Sequence, residues 1–513
     1  MLARADSGAP NKWAITISIM LATVMNSLDT TIANVALPHI QGSVSASQDQ
    51  ITWVLTSYIV AATIMTPMTG WLAGRIGRKL LFLVSIAGFT VASVLCGISG
   101  SLAEIVGFRL LQGLFGAALI PLSQAVLLDI WPKEKQGQAM AIWGAGAILG
   151  PIMGPALGGW LTDNLTWRWV FFINVPIGLL AYTGVWMFIS NNKHDIPKKF
   201  DFFGFGMLTV FIGAFQLMLD RGPTQDWLNS REIWTEMVVA GLALYLFTVH
   251  AITAKNPFFD RALARDRSFV VATVVGFFLG ILLYSSMALL PSMLEVLMGY
   301  PVVTTGLVMM PRGLGAFAAM FIVGQLVGRV DSRLLVAFGL FLSGWAAWMM
   351  SRFSLDMTAG PLIISALIQG LGTGLIFVPL TTLAFATISP IYRAEGSSVF
   401  TLVRNLGSSA GISIVVALQT NNVETVHSGL VGHINAGDPN LAMQLAGSAL
   451  NPSTVAGAAA LNGEITRQSA MVAYVDDFWL MVLITVAVVP LLFLMKAPRA
   501  AAAKPDPANV VHE

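Results

Sequence analysis

The sequence predicts an all-α polytopic membrane protein of fourteen spans, built as two six-helix bundles with two further helices inserted between them. Three observations carry this reading. Fourteen stretches are long and apolar enough to cross a bilayer, Lys and Arg collect on alternate connections, and two parts of the chain about 254 residues apart read alike.

The chain is 56% hydrophobic and 11% charged, whereas a soluble domain is about a quarter charged, which excludes a cytosolic globular protein. A span needs about 20 mostly apolar residues, because a rise of about 1.5 Å per residue must cover about 30 Å of hydrocarbon. On that ruler the spans fall near 13–37, 53–73, 80–99, 104–130, 138–160, 168–190, 203–220, 232–254, 268–291, 303–328, 334–351, 361–388, 397–419 and 478–495. The first is too long for a signal peptide and lacks a small-residue cleavage site.

Orientation follows from the preference of Lys and Arg for the cytoplasmic side. With both termini inside, 20 of the 28 Lys and Arg residues fall on inner segments, among them Arg75, Arg78, Lys79, Arg329, Arg333 and Arg393. Arg109, Arg312 and Arg404 instead lie within spans.

The net charge of +2 points to no nucleic-acid partner. The lone Cys96 forms no internal disulfide, most histidines sit in loops or tails, and no Cys/His cluster has metal-ligand spacing, so no metal is expected. A Walker phosphate loop is missing from the sequence, which argues against built-in ATP hydrolysis and leaves no cofactor beyond a proton gradient.

The repeat pairs Gly70-Trp-Leu-Ala-Gly74-Arg75-Ile-Gly77-Arg78-Lys79 with Gly324-Gln-Leu-Val-Gly328-Arg329-Val-Asp331-Ser-Arg333, both at the inner end of a span. Gln112-Gly113-Leu114, with Pro121 downstream, echoes Gln369-Gly370-Leu371 with Pro379. Residues 1–190 are therefore expected to form an N-terminal bundle, 191–267 an inserted pair of helices, and 268–495 a C-terminal bundle, followed by a cytoplasmic tail at 496–513. Parallel repeats of this kind place a substrate site near the midplane between the halves. The segment 420–477 falls outside the membrane and reads either as a capping hairpin or as a contact for an extracytoplasmic partner.

Span 1 holds Asn26, Asp29, Thr30 and Asn34 on one broad face. A carboxylate in a span costs a few kcal/mol on insertion scales, so function is the default reading of Asp29. Asp29 and Arg109 lie at depths within about 5 Å of each other, close enough to pair, and a proton arriving from outside would break such a pair and shift a two-state equilibrium. A static buried ion pair is the alternative. Gln112, Arg312, Arg404 and Asn405 are the other buried polar candidates for a substrate cavity.

In span 5, Gly146, Gly150, Gly154 and Gly158 recur every four residues, allowing close helix approach. Pro151 and Pro155 each remove a backbone donor there, which suits a helix that flexes or seals. Gly70, Gly74, Arg75, Gly77 and Arg78 form a basic turn that suggests a latch for one conformation; simple anchoring explains its charge but not its glycines.

On these residues the chain resembles the fourteen-span drug:proton antiporters of the major facilitator superfamily, in particular their EmrB-like branch. The resemblance covers nearly the whole chain and rests on Leu28-Asp29-Thr30-Thr31-Ile32-Ala33-Asn34 through Pro38, Arg109-Leu-Leu-Gln112-Gly113, the Gly-Pro stripe at 150–159, Trp167-Arg168-Trp169 with Phe171 to Pro176, and Leu219-Asp220-Arg221-Gly222. It implies the major facilitator fold, proton coupling by Asp29 and Arg109, and a span 5 that biases the cycle toward export. It also implies an inner-membrane location, an EmrA-like periplasmic adaptor and a TolC-like outer-membrane channel. Gly74 stands where the superfamily loop motif usually has Asp, so the usual latch is weakened or built differently. A dedicated metabolite exporter, a proton symporter, and a channel-like or receptor-like scaffold stay open as alternatives.

Overall fold

The computed structural model describes residues 12–132, 135–190, 199–433, 445, 448–451 and 454–495. The tail 496–513, loop 191–198, most of the turn within 420–477 and the side chains of Pro151 and Pro155 lie outside the described residues.

The described chain is helical throughout, with a single isolated bridge between Val327 and Val330. Thirteen helices are long and apolar enough to cross a membrane, and Trp53–Met65 is a shorter apolar helix. That helix and Met68–Ile76 together form span 2, which makes fourteen. The break falls at Thr66-Pro67, where proline has no N–H to continue the ladder. Span 4 divides the same way, into Leu102–Gly116 and Leu119–Ile130. Pro121 supplies the reason there, since its ring opposes the carbonyl four residues earlier. Span 6 comprises Trp169–Phe172 and Asn174–Phe188, ahead of Pro176.

The remaining spans are single helices: span 1, Lys12–Val44; span 3, Arg78–Ile98; span 5, Gln136–Asn164; span 7, Phe202–Arg221; span 8, Arg231–Thr253; span 9, Arg267–Ser292; span 10, Val302–Leu326; span 11, Ser332–Met350; span 12, Ala359–Ala386; span 13, Arg393–His433; span 14, Val455–Val488. Spans 13 and 14 run well past the boundaries that hydropathy sets, because their Ala-, Gln- and Asn-rich extensions are helix-compatible without being apolar. At 41 residues, span 13 is about 60 Å long. Residues 420–433 and 455–477 are thus helix, and His427 meets Asn462 across them.

Spans 1 to 6 pack among themselves, as do spans 9 to 14. Between these two groups, span 5 packs on spans 10 and 12, while the last turns of spans 2 and 4 pack on span 13. Span 7 lies against spans 2 and 13, and span 8 packs against span 7. The pair is fixed by an ion pair from Arg221 to Glu232 and a hydrogen bond between His250 and Asp201.

Glycines set how closely these helices meet. A Cβ on Gly113 would enter the carbonyl of Tyr58, and one on Gly370 the carbonyl of Arg312. In span 5, Gly146 faces Met20, Gly150 the backbone of Ser27 and Leu28, Gly154 the side chain of Thr31, and Gly158 Ile32. All of these partners are on span 1. The other side of span 5 meets span 10, where a Cβ on Gly144 would lie 2.9 Å from the sulfur of Met320. Span 5 is therefore clamped between the helix that carries Asp29 and the opposite half.

Candidate functional site

Asp29 is fully buried, and so is Arg109 at 1% exposure. The Arg109 guanidinium donates to Asp29 Oδ2 at 2.7 Å. The other carboxylate oxygen accepts from Gln112 Nε2 at 2.8 Å and from Asn174 Nδ2 at 2.9 Å. Arg109 also donates to Gln112 Oε1 and to the carbonyl of Val54, and its guanidinium covers the Tyr58 ring at 4.3 Å. A buried ion pair survives when further hydrogen bonds satisfy its remaining lone pairs and protons. Here spans 2, 4 and 6 each supply one of those partners.

A second layer surrounds the pair. Asn174 donates to Ser93 as well, and Ser93 donates to the carbonyl of Phe171. Asn26 donates to the Tyr58 hydroxyl at 3.1 Å. Loss of a proton acceptor at Asp29 would leave these donors competing for one fewer charge, so the site responds as a unit.

Thr30 and Asn34 do not join it; both are exposed, and Thr30 spends its hydroxyl on the carbonyl of Ser27. A four-residue step advances about 40° around a helix, so a stripe that starts at the buried Asn26 has turned onto the surface by Asn34.

Sequence reasoning had passed over Asn174 and Ser93. Asn174 was noticed only inside the Phe171-to-Pro176 signature, although an amide inside an apolar span is a signal of its own. Asp129 was also missed, as the last acid of span 4.

Asp129 organises the basic end of the molecule, the end at which spans 2 and 3 join. It pairs with Arg78 and, at 2.8 Å, with Arg393 at the start of span 13. Arg393 donates to the Leu128 carbonyl too, and Arg78 to the carbonyl of Pro390. Ser397 meets Gln124 one turn deeper. A Cβ on Gly70 would lie 2.8 Å from the Cα of Glu395. Gly77 has φ of 86°, a left-handed conformation that favours glycine and turns the chain from span 2 into span 3. Gly74 has open space around it, and Arg75 covers Trp71 at 5.2 Å. In this conformation, then, the two halves are pinned together at the basic end.

The C-terminal half carries cations without that network. Arg312 donates to the carbonyl of Leu283 at 3.1 Å and to Ser286 at 2.9 Å, and its other terminal nitrogen has no partner. Arg404 is 9% exposed, covers the Phe377 ring at 5.5 Å and leaves Nε unpartnered. Asn405 beside it is half-buried. Neither arginine has a carboxylate within ion-pair distance among the described residues. Phe377 stacks on Trp143 of span 5 at 5.7 Å, joining the halves near these cations. Asp477 in span 14 is 1% exposed with both carboxylate oxygens unpartnered.

Comparison with known proteins agrees with this architecture. The sequence model of the Major Facilitator Superfamily matches residues 19–412. The chain is similar to Multidrug export protein EmrB of Haemophilus influenzae, 37% identical over 91% of this chain and 92% of that one. It is 35% identical to the Escherichia coli protein of the same name, covering 94% and 95%. Fatty acid resistance protein FarB of Neisseria gonorrhoeae is 34% identical, covering 96% and 97%. Among solved structures, the human organic anion transporter MFSD10 superposes with a TM-score of 0.62 at 14% identity, covering 93% of this chain and all of that one. The proton:xylose symporter XylE gives 0.57 at 12%, covering 93% and 96%.

Proposed function

We propose that this chain, which belongs to the Major Facilitator Superfamily, is a multidrug efflux transporter that exports hydrophobic small molecules in exchange for protons by alternating access. Its relatives named for multidrug export support the drug-efflux reading. The observation that carries the coupling is the enclosed Asp29–Arg109 pair.

With Asp29 ionised, the carboxylate holds spans 1, 4 and 6 together through three donors. A proton on Asp29 removes the attraction to Arg109 and turns one acceptor oxygen into a donor, so the donors around it must rearrange. Span 1 passes that change to span 5 through the glycine stripe, and span 5 bears directly on span 10. The proton thereby acts on the contact between the halves. At the basic end, Asp129 serves as the latch between Arg78 and Arg393, in place of an acid at Gly74.

The excess of Lys and Arg at that end supports reading it as the cytoplasmic face, of a bacterial inner membrane on this proposal, and the conformation described is then closed to the cytoplasm. Arg404 is buried and Arg312 half-buried, neither with a counter-charge among the described residues, and they favour substrates that carry a weakly acidic group beside an apolar body. The EmrB-like motifs of the sequence support a proposed periplasmic adaptor and outer-membrane channel as partners, for which the helical segments 420–433 and 455–477 are the available surface.

The test is reconstitution. Proteoliposomes with an imposed pH gradient should move a hydrophobic substrate uphill, and Asp29→Asn should not. Gradient-independent leakage through the wild-type protein would instead identify a channel.

A further inference from the structure

A groove of about 620 Å³ opens at the basic end between span 5 and span 10, beside the start of span 1. Lys12 and Lys135 stand at it, together with Trp13, Trp131, Ile142 and Phe321. Neither lysine is paired with a carboxylate among the described residues. Among the described residues the lining includes no acid.

We infer that this groove binds an anionic phospholipid of the cytoplasmic leaflet, with its headgroup on Lys12 and Lys135 and its acyl chain along Ile142 and Phe321. The charge complementarity is one-sided, since two ammonium groups stand at a mouth whose described lining residues carry no negative charge, and ammonium groups bind phosphate as point charges. The depth fits as well. Trp13 and Trp131 meet edge to face at 5.4 Å, and Trp131 donates its indole N–H to Thr16. Tryptophans at the end of an apolar helix mark the headgroup level of a bilayer. Phe321 is 54% exposed and Trp13 57%, so an apolar wall continues from the charged mouth onto the surface. A free inorganic anion would use only the lysines and leave that wall bare. Basic pockets between spanning helices on the cytoplasmic side are suited to lipid headgroups.

The groove also reports conformation. Its walls come from both halves, and at its floor a Cβ on Gly324 of span 10 would lie 2.9 Å from Ala141 of span 5. Opening the basic end would part the walls. A lipid seated there therefore binds the cytoplasm-closed form preferentially and shifts the equilibrium toward it.

The experiment is native mass spectrometry of the full-length chain in mild detergent, titrated with phosphatidylglycerol, with phosphatidylcholine of the same acyl chains, or with oleate. The wild-type protein should retain phosphatidylglycerol over phosphatidylcholine by about tenfold or more, the effect expected of two lysines near an anionic headgroup. The Lys12→Gln/Lys135→Gln double variant should lose that preference while melting at the same temperature in phosphatidylcholine nanodiscs, since both side chains are exposed. Equal retention of phosphatidylglycerol by the two proteins would overturn the site. So would oleate binding as tightly as phosphatidylglycerol, which would make the groove a place for any anionic amphiphile.

Discussion

Tyr58 and Arg312, 254 positions apart, occupy the same place in the two halves: each receives on its backbone carbonyl the close approach of a glycine, Gly113 in span 4 and Gly370 in span 12. Around that shared frame the chemistry has diverged. Counted at the same 254-residue spacing, Asp29 falls on Leu283, and at the Gln112–Gln369 spacing Arg109 falls on Ala366. The N-terminal half therefore holds a neutralised ion pair, whereas the C-terminal half holds a cation that binds the Leu283 carbonyl. In the mechanism proposed above, one half handles the proton and the other an anionic group.

Asp29 and Arg109 should behave as one unit in stability as well as transport. Asp29→Asn leaves a guanidinium buried without its counter-charge, and breaking a buried pair in this way costs about 3–5 kcal/mol. The double variant Asp29→Asn/Arg109→Gln should recover most of that loss in a thermal melt yet remain inactive in transport. Additive destabilisation by the two changes would show that the pair is not coupled.

The glycine stripe of span 5 should tolerate nothing where it meets span 1. A Cβ at Gly150 would collide with the backbone of Ser27 and Leu28, which cannot rotate away. Gly150→Ala should lower stability by about 1–3 kcal/mol, the usual cost of overpacking, and should reduce pH-driven transport. Gly159→Ala, on the same helix with open space beside it, should match the wild type in both assays.

Asp129→Asn should loosen the basic end. The substitution weakens two contacts at once, to Arg78 and to Arg393, of which the second is the more buried. Spin labels at positions 138 and 325, both exposed on spans 5 and 10, should show a longer distance population in the variant than in the wild type. An unchanged distribution would mean that span 5 and span 10 hold the closure without the latch.

Substrate charge should separate the two C-terminal arginines from the proton site. Arg312→Gln and Arg404→Gln are expected to slow export of weakly acidic compounds more than export of neutral ones of similar size. An equal loss for both kinds of compound would assign these arginines to helix packing.

Much of this was legible in the sequence because the bilayer imposes a length and a polarity on every span. The fourteen spans followed from that ruler, and the repeat of Gly70–Lys79 at Gly324–Arg333 revealed the duplication. Helix ends were less legible wherever a helix leaves the hydrocarbon, as span 13 does on its way to His433, since hydropathy falls while the backbone ladder continues. Asp29 and Arg109 stood out because charge inside a span is costly. Asn174, Ser93 and Tyr58 did not, because uncharged polar groups in spans are common and their convergence depends on three helices distant in sequence. Asp129 looked like an ordinary solvated helix end; only the fold brings Arg78 and Arg393 to it from opposite sides.

Transport by Asp29→Asn proteoliposomes under an imposed pH gradient tests the coupling most directly. The variant should bind substrate and exchange it down its own gradient, but accumulate none when only the proton gradient is applied. Uphill accumulation at the wild-type rate would place the proton on some other residue and contradict the role given to Asp29.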